Sequence, residues 1–390
     1  RLTIHLVLIS SIFSQVEYNH PELTWHTFET EHFKIHFHDE TESTAREAAT
    51  VAEVIYPKIT SFYGFEPHQK THLVLLDPDD YSNGAAYYYD NKMMIWASPL
   101  DFELRGSHRW LQNVITHEFA HIVSLQKAMK AGTSIPGAYF QFMNYEEEKR
   151  PDVLYGYPNT LVSYPLPGTV VPPWLAEGTA QYMYDDADWD NWDSHRDMIL
   201  RDRVINDNLL SFTEMNTFGK KGIGNESTYN SGFALATYIA NEYGSDVLSK
   251  VMEELSSPLQ FSIDKAILNV TGTSGRDIYQ DFKAAIEAKY NTLVDPIRVM
   301  PVQGEKLQIE GTTNIHPKWH PTENAYLYLS NKGNDYFGQT NLYFHDLNTG
   351  EDKKIKSGVF SAPTWHSNGE IIYYSRKPKF PNKNGSKFYD

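Results

Sequence analysis

The chain has 390 residues, 41% hydrophobic and 14% aromatic, enough for two or three domains each with its own core. A formal net charge of −16 argues against a nucleic-acid partner, since phosphate binding is driven by Lys and Arg, and against docking on anionic lipid. There is no cysteine, which excludes disulfides, thiolate metal sites and cysteine nucleophiles and leaves His and carboxylates as the strong metal ligands.

Arg1 precedes an apolar run, Leu2 to Phe13, that ends in small residues near Ser14. This order resembles a secretory leader over residues 1–14, cut near Ser14/Gln15, and sets an expected address outside the cytoplasm, periplasmic or secreted. A buried first strand is the alternative. The run is too short to span a bilayer as a helix, which needs about 20 residues, and no later segment reads as transmembrane.

His32 to His38 alternates with Phe33, Ile35 and Phe37 on one face, the pattern of a strand. Its His36 and His38 are expected to be exposed strand histidines, with metal chelation as the other reading. Ala45, Ala48, Ala49, Ala52, Ile55, Ile59 and Phe62 recur at helical spacing, and Thr71 to Leu76 is a compact apolar strand. Asn83-Gly84 marks a turn, and Ala85 to Trp96 reads as a further strand or as a hairpin around Asp90-Asn91. A helix is expected from about Arg109 to Gln126.

Residues 127–172 break this regularity, being rich in Gly, Pro, Tyr and Phe with an acidic patch at Glu146–Glu148. A loop of this length is usually functional. From Pro173 to about Leu293 the patterns are mostly helical. One helix opens at Pro172-Pro173, another covers Tyr229 to Tyr243 and stops at Gly244, and a last covers Arg276 to Tyr290. The acidic run Asp185 to Asp193 lacks the Gly and terminal Glu of a calcium loop and reads as solvated. His195-Arg196-Asp197 reads as structural, without the other parts of a kinase.

Residues 294–310, with Pro296 and Pro301, read as a linker. Beyond it come short aromatic strands separated by turns. Pro317-Lys318-Trp319-His320 returns as Pro363-Thr364-Trp365-His366, an interval of 363 − 317 = 46 residues. Each copy leads into an apolar strand, Tyr326 to Ser330 and Ile371 to Ser375, with Leu342 to Leu347 between them. A period of about 40–50 residues with short strands is that of a propeller blade. Two copies do not close a propeller, so residues 311–390 are expected to form an incomplete one. The fold class is therefore α+β followed by an all-β unit.

The strongest chemical signal is His117-Glu118-Phe119-Ala120-His121. On a helix, positions i and i+4 share a face, so both imidazoles reach one metal. Zinc held by two His and a carboxylate keeps a fourth position for water and acidifies it, and Glu118 stands one residue from a ligand as a base. A third ligand is offered by Glu177 in Trp174-Leu175-Ala176-Glu177-Gly178-Thr179-Ala180, in the first turns of a helix opening at proline. Gly178 lets another backbone approach closely. Gln181, one turn on, is read either as a partner of a ligating His or as a surface or core residue.

The HExxH pentapeptide followed by Trp-Leu-Ala-Glu-Gly resembles the gluzincins, the peptidase MA-like group related to the thermolysin and zinc aminopeptidase families. The resemblance covers about Trp25 to Leu293, and residues 311–390 are similar to the TolB-like propeller repeat. It implies a zinc (Zn2+) peptidase with His117, His121 and Glu177 as ligands and Glu118 as general base. It further implies a β-rich upper part, a helical lower part, and a peptide or protein substrate lying along an edge strand, by position Ala85 to Trp96. Tyr229, in Tyr229-Asn230-Ser231-Gly232-Phe233, precedes a helix similar to the one carrying the family's oxyanion donor. A core or cap role for Tyr229 is equally open, and Tyr182 is a rival. Two departures stand out. His121 and Glu177 are 177 − 121 = 56 residues apart, so residues 127–172 are an insertion between two ligands. Gly84-Ala85-Ala86-Tyr87-Tyr88 also lacks the glutamate with which zinc aminopeptidases capture an amino terminus, which favours an endopeptidase. The rival from another class is a non-enzymatic protein binding a partner through the propeller, with the peptidase-like domain as a zinc-stabilised scaffold. Glu118 discriminates, because a scaffold needs no base beside its ligands.

Overall fold

The computed structural model describes residues 20–78, 82–98, 109–131, 138–145, 158–166, 168–183, 194–218, 225–334 and 340–374. The leader over 1–14, the acidic patch at Glu146–Glu148 and the run Asp185–Asp193 lie outside the described residues.

Five strands form the first sheet: β1 (Trp25–Glu29), β2 (Phe33–His38), β3 (Thr71–Leu76), β4 (Gly84–Tyr87) and β5 (Lys92–Trp96). Their order is β1-β2-β3-β5-β4, with β2, β3 and β5 parallel and the edge strands β1 and β4 antiparallel. The period of two sends Phe33, Ile35, Leu73, Leu75, Met93 and Ile95 to one fully buried face. Against that face pack α1 (Glu42–Tyr63) and α2 (Trp110–Lys127). The small residues Ala45, Ala48, Ala49 and Ala52 keep α1 close, and Gly64, in the left-handed region at φ 58°, ends it.

Expectations change at Gly84, at the extent of the edge strand and at the strand histidines, while the hairpin reading of Ala85 to Trp96 holds. Gly84 is the first residue of β4 and not part of a turn. Ala85 to Trp96 is two strands joined through Tyr88–Asp90 and a left-handed Asn91, and only β4 lies at the sheet edge; β5 is interior, between β3 and β4. The strand histidines are not exposed. His38 is buried, its Nε2 accepts the Asp77 N–H at 3.2 Å and its ring meets Trp25 edge-on. His36 is half-buried, 2.8 Å from His72 and 2.8 Å from the Thr27 hydroxyl. Neighbouring strands supply these partners, which alternation along one strand does not reveal.

Between α2 and the next helix, the described backbone holds a hairpin of β6 (Ala138–Tyr145) and β7 (Pro158–Leu166), paired only with each other. The helical half comprises α3 (Pro173–Tyr182), α4 (Ser194–Ile205), α5 (Glu226–Tyr243), α6 (Asp246–Ser256), α7 (Ile263–Thr271) and α8 (Gly275–Val299). On α4, Asp197 accepts from the Tyr290 hydroxyl of α8 at 2.9 Å, a structural tie. Helix α8 runs on through Pro296 to Val299, six residues into the segment expected as a linker.

The tail forms a separate four-stranded antiparallel sheet, order β11-β10-β9-β8, from β8 (Asn314–Trp319), β9 (Ala325–Ser330), β10 (Asn341–Asp346) and β11 (Asp352–Ser357). A two-stranded pair, β12 (Thr364–Trp365) and β13 (Ile372–Tyr373), follows. The two copies of the repeated tetrapeptide meet. Trp365 Nε1 donates to the Lys318 carbonyl at 3.2 Å, and His320 Nε2 donates to that of Gly369 at 2.9 Å. The expected class, α+β, is what the molecule shows, and no closed barrel or propeller occurs among the described residues.

Candidate metal centre

The site is built on α2 and α3. Helix α2 is anchored at its start by Trp110 Nε1, which donates to the Trp96 carbonyl of β5 at 2.7 Å. Its apolar residues Ile115, Phe119 and Ile122 turn into the core, and His117 and His121, one turn apart, stand on the face toward α3. Helix α3 opens at Pro173 and is pressed against α5. A β-carbon on Gly178 would lie 2.4 Å from the Gly232 carbonyl oxygen, and one on Gly232 would lie 2.3 Å from that of Trp174. The close backbone approach expected of Gly178 is thus a contact with α5, and it sets the depth at which Glu177 sits.

The three expected ligands converge. His117 Nε2 is 3.0 Å from Glu177 Oε2, His121 Nε2 is 3.1 Å from the same oxygen, and the two ring nitrogens are 3.0 Å apart. All three residues are buried, and among the described residues they are the one group of three or more such side chains close enough to hold a metal ion. The spacing fits an ion: with bonds of about 2.0–2.1 Å, tetrahedral ligand atoms stand about 3.3 Å apart, a few tenths beyond the separations here. Gathering two imidazoles and a carboxylate in an apolar interior is costly without a cation to share. The donor set is sound for a divalent metal.

Burial acts on each acid in turn. It raises Glu118, whose carboxyl therefore holds a proton more readily than an ordinary glutamate, against the pull of His117 and His121. Burial alone would raise Glu177 too, but the charges and hydrogen bonds of His121 and His117 outweigh it and keep this carboxyl well below the usual range. For His121 burial disfavours the charged ring, and Glu177 beside it reverses the balance and raises the pKa.

Tyr229 joins the cluster. Its ring stacks on His117 with centroids 6.1 Å apart, and burial together with Glu177 and Glu118 raises its phenol well above the ordinary value, so it remains a proton donor. It lies inside α5 and not before the helix, because α5 begins at Glu226. Tyr182 packs with the core near Phe62 instead. Gln181 is buried, and no hydrogen bond joins it to either ligating His: its Oε1 and the Nδ1 of His121 both lack a hydrogen-bond partner.

Strand β4 walls the site in a way spacing does not show. The Ala86 backbone N–H lies near the Glu118 carboxylate and lowers its affinity for a proton, and Gly84 lies against the same side chain. The sequence carries one trace of this, a glycine 34 residues before Glu118 (118 − 84 = 34) that reads there only as half of a turn. No protein-family model matches this chain, and no curated protein matches it.

Proposed function

We propose that the chain is a zinc-dependent endopeptidase acting outside the cytoplasm. The observation that carries this reading is a buried carboxyl, Glu118, one residue from His117 in a His117, His121, Glu177 group able to hold a metal. A zinc ion in that group supplies a Lewis acid and an acidified water. Glu118 takes a proton from the attacking water and passes it to the leaving amine, a task suited to a carboxyl whose proton affinity burial has raised. Tyr229 donates its phenolic hydrogen to the developing oxyanion. His117, His121 and Glu177 hold the reacting centre in place.

Strand β4 supports a peptide as substrate. The Trp96 N–H donates to the Asn83 carbonyl, so by antiparallel alternation Ala85 and Tyr87 bond to β5, while the backbone groups of Gly84 and Ala86 turn to the open edge. An extended peptide adds there as a further strand. The β6–β7 hairpin lies in the insertion between two ligands, where it shapes the cleft. The tail sheet and the pair that follows it act as a TolB-like propeller repeat that recruits a protein partner.

The test is metal content and proteolysis of purified protein beside Glu118→Gln. The expected result is one zinc per chain in both and a loss of about 10²–10⁴-fold in turnover in the variant. Zinc in both with no peptide cleaved by either leaves a zinc-stabilised scaffold. Absence of metal from both removes the site.

A further inference from the structure

Glycine at position 84 is not explained by its backbone, since Gly84 is absent from the residues with positive φ and sits in a regular antiparallel strand opposite Ile95. Space explains it. A β-carbon at Gly84 would lie 2.5 Å from Glu118 Oε1, 3.0 Å from its Cδ and 2.4 Å from Val114 Cγ2. Val114 and Glu118 are one helical turn apart, so both meet β4 from one face of α2. Two residues along the strand, the Ala86 backbone N–H lies near the Glu118 carboxylate and lowers its affinity for a proton. The end of this side chain therefore lies against the bare α-carbon of residue 84 and beside the Ala86 backbone, while the helix fixes its root.

We infer that Gly84 is a positioning residue for Glu118, its missing side chain being the space that lets the base lie flush against the strand where substrate pairs. This rests on the reading of the site as a hydrolase. A glutamate has three rotatable bonds, and a cradle that admits one arrangement replaces a search with a fixed position. Of the two side chains that a methyl at residue 84 would meet, Val114 is stiff and Glu118 presents the far end of a flexible chain, so with Val114 shortened Gly84→Ala moves the base rather than the strand.

The test uses full-length protein with Val114→Ala as the common background, so that the added methyl meets Glu118 alone. Into it go Gly84→Ala, Glu118→Asp and both. Amide exchange at Ala86, with and without zinc, is measured beside kcat and KM on a peptide substrate. Gly84→Ala is expected to lower kcat by about 10²-fold with KM within about threefold, and to speed Ala86 exchange about tenfold as the carboxylate beside it withdraws. With the shorter Asp at 118 the same substitution should cost less than about twofold, since the methyl no longer meets a carboxylate. Equal losses with Glu and with Asp would show that Gly84 acts on the fold, and unchanged Ala86 exchange would show that the base has not moved; either overturns the inference. If the background protein cleaves no peptide, the hydrolase reading fails, and Ala86 exchange still decides whether Gly84 places Glu118.

Discussion

At the scale of single residues, burial and neighbouring charge set how Glu118, Glu177 and Tyr229 hold their protons in the candidate site. Glu118 and Glu177 are both buried carboxylates, yet they move in opposite directions. Glu177 touches two imidazoles, whereas Glu118 has burial as its dominant influence. That difference is what the proposed roles of Glu177 as metal ligand and Glu118 as base require. Tyr229 has a phenol and a ring, and the two can be separated experimentally. Tyr229→Phe keeps the ring stacked on His117 and removes only the donor. Turnover should fall by about 10²-fold with zinc content unchanged. A variant with wild-type kcat would return Tyr229 to the core.

Among elements, the decisive contact is the crossing of α3 on α5, where Gly178 and Gly232 bring the two backbones together. Here the obstacle to a methyl is backbone, which does not swing aside. Gly178→Ala should destabilise the protein by about 1–3 kcal/mol and weaken zinc binding, because the helix that carries Glu177 must move away from α5 and shift that carboxylate relative to His117 and His121. Urea denaturation and a competitive chelator titration would check the two effects. A stable variant with undiminished zinc affinity would show that Glu177 is placed by something other than this crossing. The edge strand teaches the same lesson: Glu118 belongs to a helix, but its position is shared with β4 through Gly84 and Ala86.

Over the whole molecule there are separate cores. One large apolar cluster runs from Phe33 to Tyr290, and the tail has its own, with Leu327, Leu329, Leu342 and Val359 on one face and Tyr326, Tyr328 and Tyr343 on the other. The tyrosine face closes over Asp352. Burial alone would raise that carboxyl, but hydrogen bonds from Lys332, Tyr328 and His345 hold it below the ordinary aspartate value. A depressed folded-state pKa means stability present at neutral pH and lost as pH falls through the acid range below that ordinary value. The urea midpoint of β9 and β10, followed by pulsed hydrogen exchange in the full chain, should drop between pH 7 and pH 3. Asp352→Asn should lower the neutral-pH midpoint and flatten its pH dependence. Zinc removal should loosen α2 and α3 and leave this sheet unchanged, since the ligands belong to the other core. A midpoint for β9 and β10 that follows the chelator would show the cores to be coupled.

Much of this was legible in order along the chain. The helix carrying His117 and His121, the helix opening at Pro173, the strand Thr71–Leu76 and the repeat at 46 residues each depend on local periodicity, on a proline or on a motif. The metal group was legible because two ligands sit one helical turn apart, a spacing that is itself a geometry. Helix α8 runs past its expected end although residues 295–299 are exposed, so packing does not account for the overrun.

Sequence by itself determined most element types, though not the β6–β7 hairpin in the segment read as a loop, and also the α+β class and the candidate ligands and base, because these follow from side-chain periodicity and from intrinsic chemistry. Tertiary structure alone decided that β4 and not β5 is the open edge, and that His38 is buried. It also decided that Tyr229 faces His117 and that Gly84 makes room for Glu118. Those depend on contacts between segments far apart in the chain, and no local pattern encodes how close two backbones come.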